Sequence, residues 1–190
     1  DFNAQEIYNE INRLFSVHAK KEVPQLQFEE ETPWTERAVA EAKHPKAQFT
    51  RVAFAWQTVS YYDEKMYPLD VLASMLGDGR GSILYQRLKE EKRLVESVSA
   101  FSWTPAYNGS FGVSVDLPPI EDEGELRKRI ELVESEIYEA FSEVAAGKIE
   151  DYRLNSVKRR VLNGAISKNE TALGLAQSLA GSVMSSDSTR

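Results

Sequence analysis

The sequence contains no cysteine, so disulfides, thiolate zinc sites and cysteine nucleophiles are excluded. Histidine is nearly as scarce. The two present, His18 and His44, are 26 residues apart, and no H-x-x-E-H or H-x-x-H occurs. A helical pair of zinc ligands is therefore not available. Long apolar runs are also missing. The longest, Val52 to Trp56, has five residues, against about eighteen or more for a spanning helix. Positive charge is in deficit: 23 Lys and Arg against 30 Asp and Glu give a net charge of −7, which disfavours nucleic acid as a partner. No G-x-S-x-G elbow is present.

What is present is ordinary for a globular chain: 42% hydrophobic and 28% charged residues. The length, 190 residues, predicts a single domain. Its ends carry no leader pattern and suggest a piece of a longer protein. Composition leaves the compartment open. Absent cysteine suits a bacterial periplasm and suits a cytoplasm equally.

Periodicity sets the elements. Asn3 and Glu6 form a capping-box start, and Ile7, Ile11, Leu14 and Phe15 make one stripe, predicting a helix over 3–18. A polar loop over 19–33 follows, with Pro24, Pro33 and the run Glu29-Glu30-Glu31. Strands are predicted over 35–43, around Val39, and over 47–57, where Val52, Phe54 and Trp56 share a face. Asp63 caps a helix with Leu69, Leu72, Met75 and Leu76 on its stripe, and Gly77 stops it. A second helix runs from about Ser82 to Lys92. Strands at 94–105 and 110–117 flank the turn signal Asn108-Gly109 and make an antiparallel hairpin. Three helices close the chain: one over 123–146 stopped by Gly147, one carrying Leu154, Val157, Val161 and Ala165, and one carrying Leu173, Leu179 and Val183. The expected fold is α+β, a two-layer sandwich with helices on one face of a mostly antiparallel sheet.

Few residues carry chemistry by pattern alone. Gly77, Gly79 and Gly81 precede a helix and invite comparison with a phosphate loop. They lack the G-x-x-x-x-G-K-[ST] spacing and follow a helix, so a glycine-rich connection between helices is the better reading. Nucleotide binding there is the weaker alternative. Basic triplets at Arg127–Arg129 and Lys158–Arg160 lie within helices beside acids and read as solvated faces. An exposed sheet edge would accept an extended peptide as an added strand.

Read as a string, Leu69-Asp70-Val71-Leu72-Ala73-Ser74-Met75-Leu76-Gly77, then Gly79-Arg80-Gly81-Ser82-Ile83-Leu84-Tyr85-Gln86-Arg87-Leu88, then Glu91-Lys92 and Ser97-Val98-Ser99-Ala100-Phe101, resembles the pitrilysin/insulinase family of zinc metallopeptidases. That family includes the mitochondrial processing peptidases. The resemblance implies repeated α+β domains of about this size, paired in two halves that close around an unfolded peptide. One domain would hold zinc through H-x-x-E-H and a downstream Glu. The domain after it would keep the fold without the zinc motif, and this chain looks like that second, inactive domain.

The resemblance thus implies no catalytic or metal-ligating residue and no cofactor here, with zinc in the neighbouring catalytic domain. It implies as partners that domain, the second half of the clam shell and an unfolded peptide. A family pair of Arg and a Tyr seven residues later, which binds substrate, aligns with Lys89 and Glu96. Both depart from the pattern: Lys lacks the planar fork of Arg, and Glu cannot replace a neutral phenol donor. The alternative within the same fold is a non-peptidase assembly or peptide-binding domain, like the core subunits of respiratory cytochrome reductase.

Overall fold

The computed structural model describes residues 2–18, 29 and 31–185. It forms two compact units, Asp1–Thr32 and Pro33–Arg190. Residues 19–28, which carry most of the expected polar loop, lie outside the described residues.

The first unit is the helix α1 (Ala4–Phe15). Asn3 caps it by accepting the Gln5 and Glu6 amides at 3.0 and 3.4 Å, and donates to the Glu6 carboxylate at 3.1 Å. The cap at Asn3 is as the sequence predicts, and Glu6 closes it through the Asn3 side-chain amide rather than the backbone N–H of a full capping box. The stripe of Ile7, Ile11, Leu14 and Phe15 is exposed throughout.

The second unit is built on β1 (Thr50–Thr58), β2 (Ser97–Trp103) and β3 (Gly109–Leu117). The order is β1-β3-β2, and both pairs are antiparallel. Strand alternation divides the sheet cleanly. Val52, Phe54 and Trp56 on β1, Val98 and Ala100 on β2, and Phe111, Val113, Val115 and Leu117 on β3 point one way. That inner face is covered by α2 (Met66–Gly77), by the long α3 (Glu123–Ala145), and by a π-helix over Tyr85–Glu91. Leu76, Leu84, Leu88, Val133 and Ile137 meet the strand residues and are fully buried. Each such side chain contributes about 1.5–3 kcal/mol relative to exposure. Phe141 of α3 packs edge-on against Trp56 and Phe111, with ring centroids 5.1 and 6.1 Å apart. The α+β sandwich with helices on one face is the observed architecture.

Two further helices, α4 (Asp151–Asn169) and α5 (Ala172–Ser185), follow Gly147. Gly147 has φ +71°, the left-handed residue that ends α3 after Ala146. α4 buries Val157 and docks through arginines, whereas α5 exposes Leu173, Leu179 and Val183.

Two local readings are corrected. No strand forms over 35–43; the segment carries no ladder and Val39 is 78% exposed. Its charged residues pair with α3 instead, Arg37 with Glu134 at 2.9 Å and Lys43 with Glu123 at 3.2 Å. Val39 is the only β-branched residue among 36–43, so little local preference opposes that outcome. The helix expected from Ser82 to Lys92 is mostly a π-helix, with Lys92 N–H donating to the Arg87 carbonyl at 3.1 Å, five residues back. The wider turn is compatible with Leu84 and Leu88 facing the core while Arg87 and Lys92 face α3.

Candidate functional site

Three places bear on function: the π-helix and the start of β2, the glycine-rich connection, and the outer face of the sheet.

Lys89 lies on the π-helix and Glu96 immediately precedes β2. The structure brings them together, with the Lys89 ammonium donating to the Glu96 backbone carbonyl. The same ammonium sits 5.7 Å from the Tyr85 ring centroid. The Glu96 amide donates to the Asp116 carbonyl at 2.7 Å, so its backbone is committed to the sheet while its side chain is exposed. The π-helix is held to α3 by charge. Arg87 pairs with Glu143 and, at 3.8 Å, with Glu139; Lys92 pairs with Glu136. Glu136, Glu139 and Glu143 recur at helical spacing and so present one acidic stripe to the π-helix.

The glycine-rich connection is tight. Gly77 lies so close to β2 that a Cβ would be 2.0 Å from the Ala100 nitrogen. Gly79 has φ +81°, a left-handed conformation that glycine adopts without strain. Gly81 has open space around it. Two arginines of α4 fill the polar positions here. Arg153 donates to the Gly81 carbonyl at 2.7 Å. Arg160 donates to the Asp78 carbonyl at 2.9 Å and to the Ser74 carbonyl and hydroxyl at 3.2 and 3.0 Å. The loop thus presents carbonyls to cations, and its environment is that of a docked helix connection rather than an anion cradle.

The outer sheet face is built from small and polar residues. Reading across β1, β3 and β2, the rows are Arg51, Asp116 and Ser97; Ala53, Ser114 and Ser99; Ala55, Gly112 and Phe101; and Gln57, Ser110 and Trp103. Ala53, Ala55, Ser97 and Ser99 are exposed. At one end Arg51 grips Asp116 in a two-pronged pair, at 2.7 and 3.1 Å, and the Ser97 hydroxyl donates to the same carboxylate at 2.7 Å. The guanidinium of Arg51 holds the Asp116 carboxyl below the usual range against the opposing effect of desolvation, and Ser97 adds to the shift. Gly112 lets the Phe101 ring lie flat over β3; a Cβ there would be 2.2 Å from Phe101 Cζ. The face therefore combines strand backbone, small side chains and two exposed rings.

Among the described residues, no group of three or more His, Cys, Asp or Glu is placed to hold a metal ion. The described residues do not fit a zinc site, and no step through zinc is assigned to them. No helix among the described residues is long and apolar enough to cross a membrane.

In the second unit the antiparallel sheet carries α2, α3 and the π-helix on its apolar face, and the glycine-tight connection links α2 to the π-helix. The chain belongs to the family described as the Peptidase M16 inactive domain, whose model matches residues 1–161. Its fold is similar to that of a protease from Helicobacter pylori, with TM-score 0.81 and 19% identity over 98% of this chain and 44% of that one. A conserved protein from Enterococcus faecalis V583 matches with TM-score 0.66 and 17% identity, over 97% of this chain and 41% of that one. A peptidase M16 inactive domain from Pseudomonas fluorescens matches with TM-score 0.50 and 18% identity, over 61% of this chain and 26% of that one. The chain spans less than half the length of the Helicobacter protease. No curated protein matches it.

The bare face was open to sequence reasoning, because Ala53, Ala55, Ser97, Ser99, Gly112 and Ser114 alternate with the apolar strand positions. The contact of Lys89 with the Glu96 carbonyl had no such signal, since it depends on the π-helix and on the path into β2.

Proposed function

We propose that this chain is the non-catalytic domain of a zinc metallopeptidase, packed on an H-x-x-E-H domain and forming part of the wall of a chamber that encloses unfolded peptide. The observation that carries the reading is the uncovered sheet face in a member of the inactive-domain family. A wall facing a mobile, variable chain is served by a surface whose middle is made of small side chains. Ala53, Ala55, Ser97, Ser99 and Ser114 supply that beside the Phe101 and Trp103 rings, and a surface rich in backbone is tolerant of sequence. The polypeptide would supply the zinc ligands and the activated water from the neighbouring domain. This chain contributes enclosure and contact.

Lys89 and Glu96 occupy the positions of the family's substrate-binding pair without its chemistry. Their mutual contact supports a structural task, joining the π-helix to β2. We accordingly place substrate contact on the sheet face and not at this pair.

The test is hydrolysis of a quenched unstructured peptide by the zinc-motif domain, with and without this chain, and with a chelator control. Chelator-sensitive cleavage that appears or rises on addition of the chain is the expected result. A well-folded zinc-motif domain that binds the chain but shows no cleavage, even with the second half of the shell present, overturns the peptidase role in favour of an assembly domain.

A further inference from the structure

The hairpin end of the sheet gathers exposed aromatic side chains from two loops. Tyr61 N–H donates to the Pro105 carbonyl at 2.8 Å, tying the loop after β1 to the loop between β2 and β3. The junction is close: at Gly109 a Cβ would be 2.3 Å from the Trp103 carbonyl oxygen and 2.6 Å from that of Val59. Tyr61, Tyr62, Trp103 and Tyr107 all emerge here and all are exposed, Tyr62 and Trp103 each at 61%. The Tyr61 and Tyr62 rings meet edge to face at 5.7 Å. Trp103 is also the last outer-face residue of β2, so the aromatic group continues the bare face.

Rings of this kind attract cations through their faces. Elsewhere this chain supplies its own: Arg51 lies over Phe49 at 5.8 Å, Lys89 over Tyr85 at 5.7 Å, and Arg153 over Tyr152 at 5.5 Å. Among the described residues, no cation of the chain lies over Tyr61, Tyr62 or Trp103 in this way. The adjoining acids strengthen the bias. Over residues 59–70, Asp63, Glu64 and Asp70 stand against Lys65 alone, a local charge of 1 − 3 = −2. The whole chain is negative as well, at −7.

We infer that this aromatic end is a docking surface for the arginine and lysine side chains of an extended peptide. Guanidinium groups stack on Tyr62 and Trp103 while Asp63 and Glu64 balance the charge. Arginine binds better than lysine, because its planar, weakly hydrated group suits a ring face. The identity of that peptide as a substrate rests on the function proposed above. The binding surface itself does not.

The test is an NMR titration of the 190-residue chain with an unstructured peptide in which arginine alternates with glycine and serine. Counterparts carry lysine or glutamate at the arginine positions. The expected result is saturable shifts at the amides of 61–63 and 103–107 and at the Trp103 indole. Lysine should bind more weakly, glutamate should not bind, and added salt should weaken the binding. The Tyr62→Ser/Trp103→Ser variant should bind about tenfold more weakly. Should that variant not fold, the map on the unaltered chain and the single Tyr62→Ser variant decide. Equal binding of the glutamate peptide, shifts confined to other surfaces, or unchanged affinity in a folded variant overturns the inference. The titration contains no zinc domain, so a failure of cleavage in the earlier experiment leaves its outcome untouched.

Discussion

Gly77 abuts Ala100, the last residue of α2 against the middle of β2, with space for a hydrogen but not for a methyl group. A Cβ on Gly77 would lie 2.0 Å from the Ala100 nitrogen and 2.7 Å from its Cβ. Backbone cannot swing aside as a side chain can. Gly77→Ala is therefore expected to destabilise the chain by about 3 kcal/mol, at the upper end of overpacking costs. Gly112→Ala meets first the outer end of the Phe101 ring, a side chain that can rotate into solvent, and should cost about 1 kcal/mol. Gly81→Ala meets nothing within 4 Å and should stay within about 0.5 kcal/mol of the parent. Urea midpoints for the three variants check the order; equal losses would refute it.

The acidic stripe of α3 makes a different prediction. Glu136 is 6% exposed and pairs with Lys92, while its second carboxylate oxygen is buried with no hydrogen-bond partner among the described residues. Lys92→Met removes the counter-charge paired with Glu136 and leaves the carboxylate buried. Because the Lys92 side chain is 42% exposed, the loss should be about 2 kcal/mol, below that of a fully buried pair. Replacing both residues by Met should recover most of it. A double variant no more stable than Lys92→Met would show that the ion pair is not what matters.

Asp116 links stability to acid. Its carboxyl, drawn down by Arg51 and then by Ser97, ionises in the folded chain below its ordinary value of 3.8. A depressed carboxyl stabilises the fold above the unfolded-state value and loses that contribution as pH falls through the folded value. The window is therefore the acid side of 3.8. Asp116→Asn should lower the urea midpoint at about pH 7 and narrow its gap from the parent at about pH 2. A gap independent of pH would assign the loss to hydrogen bonding or packing alone.

Arg93, between the π-helix and β2, has φ +52°, the left-handed region in a residue with a Cβ. Arg93→Gly relieves that strain while adding freedom to the unfolded chain, and the net should be a gain of up to about 1 kcal/mol. Arg93→Val, with a branched Cβ, should lose about 1 kcal/mol or more. Opposite signs in thermal unfolding are the criterion.

Legibility differed from element to element. β3 was plain from the alternation of Phe111, Val113, Val115 and Leu117 with small and polar residues, and all four inward residues are buried. α3 was plain from the steps between Leu126 and Val144, and its cap is Asp122, which accepts the Glu125 amide at 2.7 Å. The π-helix was not legible. Over seven residues its apolar pattern is the same as that of an α-helix, and the choice lies with Leu84 and Leu88 on one side and the α3 carboxylates on the other. The segment 35–43 was misread because its charged residues found partners on α3, about 80 to 100 positions away in sequence. Lys89 and Glu96 were singled out through family resemblance, yet only the folded chain joins the ammonium to the carbonyl.

The residue string thus settles what is local: the Asn3 start of α1, the ends of α2 and α3 at Gly77 and before Gly147, which strand positions are apolar, and that H-x-x-E-H is missing. Those follow from backbone sterics, capping and the periods of helix and strand, which act over a few residues. It does not settle that the loop after β1 and the β2–β3 hairpin bring Tyr61, Tyr62, Trp103 and Tyr107 to one end. That convergence arises because β1 and β2 pair with β3 from either side and the Tyr61 N–H bonds the Pro105 carbonyl, contacts between segments distant in sequence that form only when the chain closes on itself.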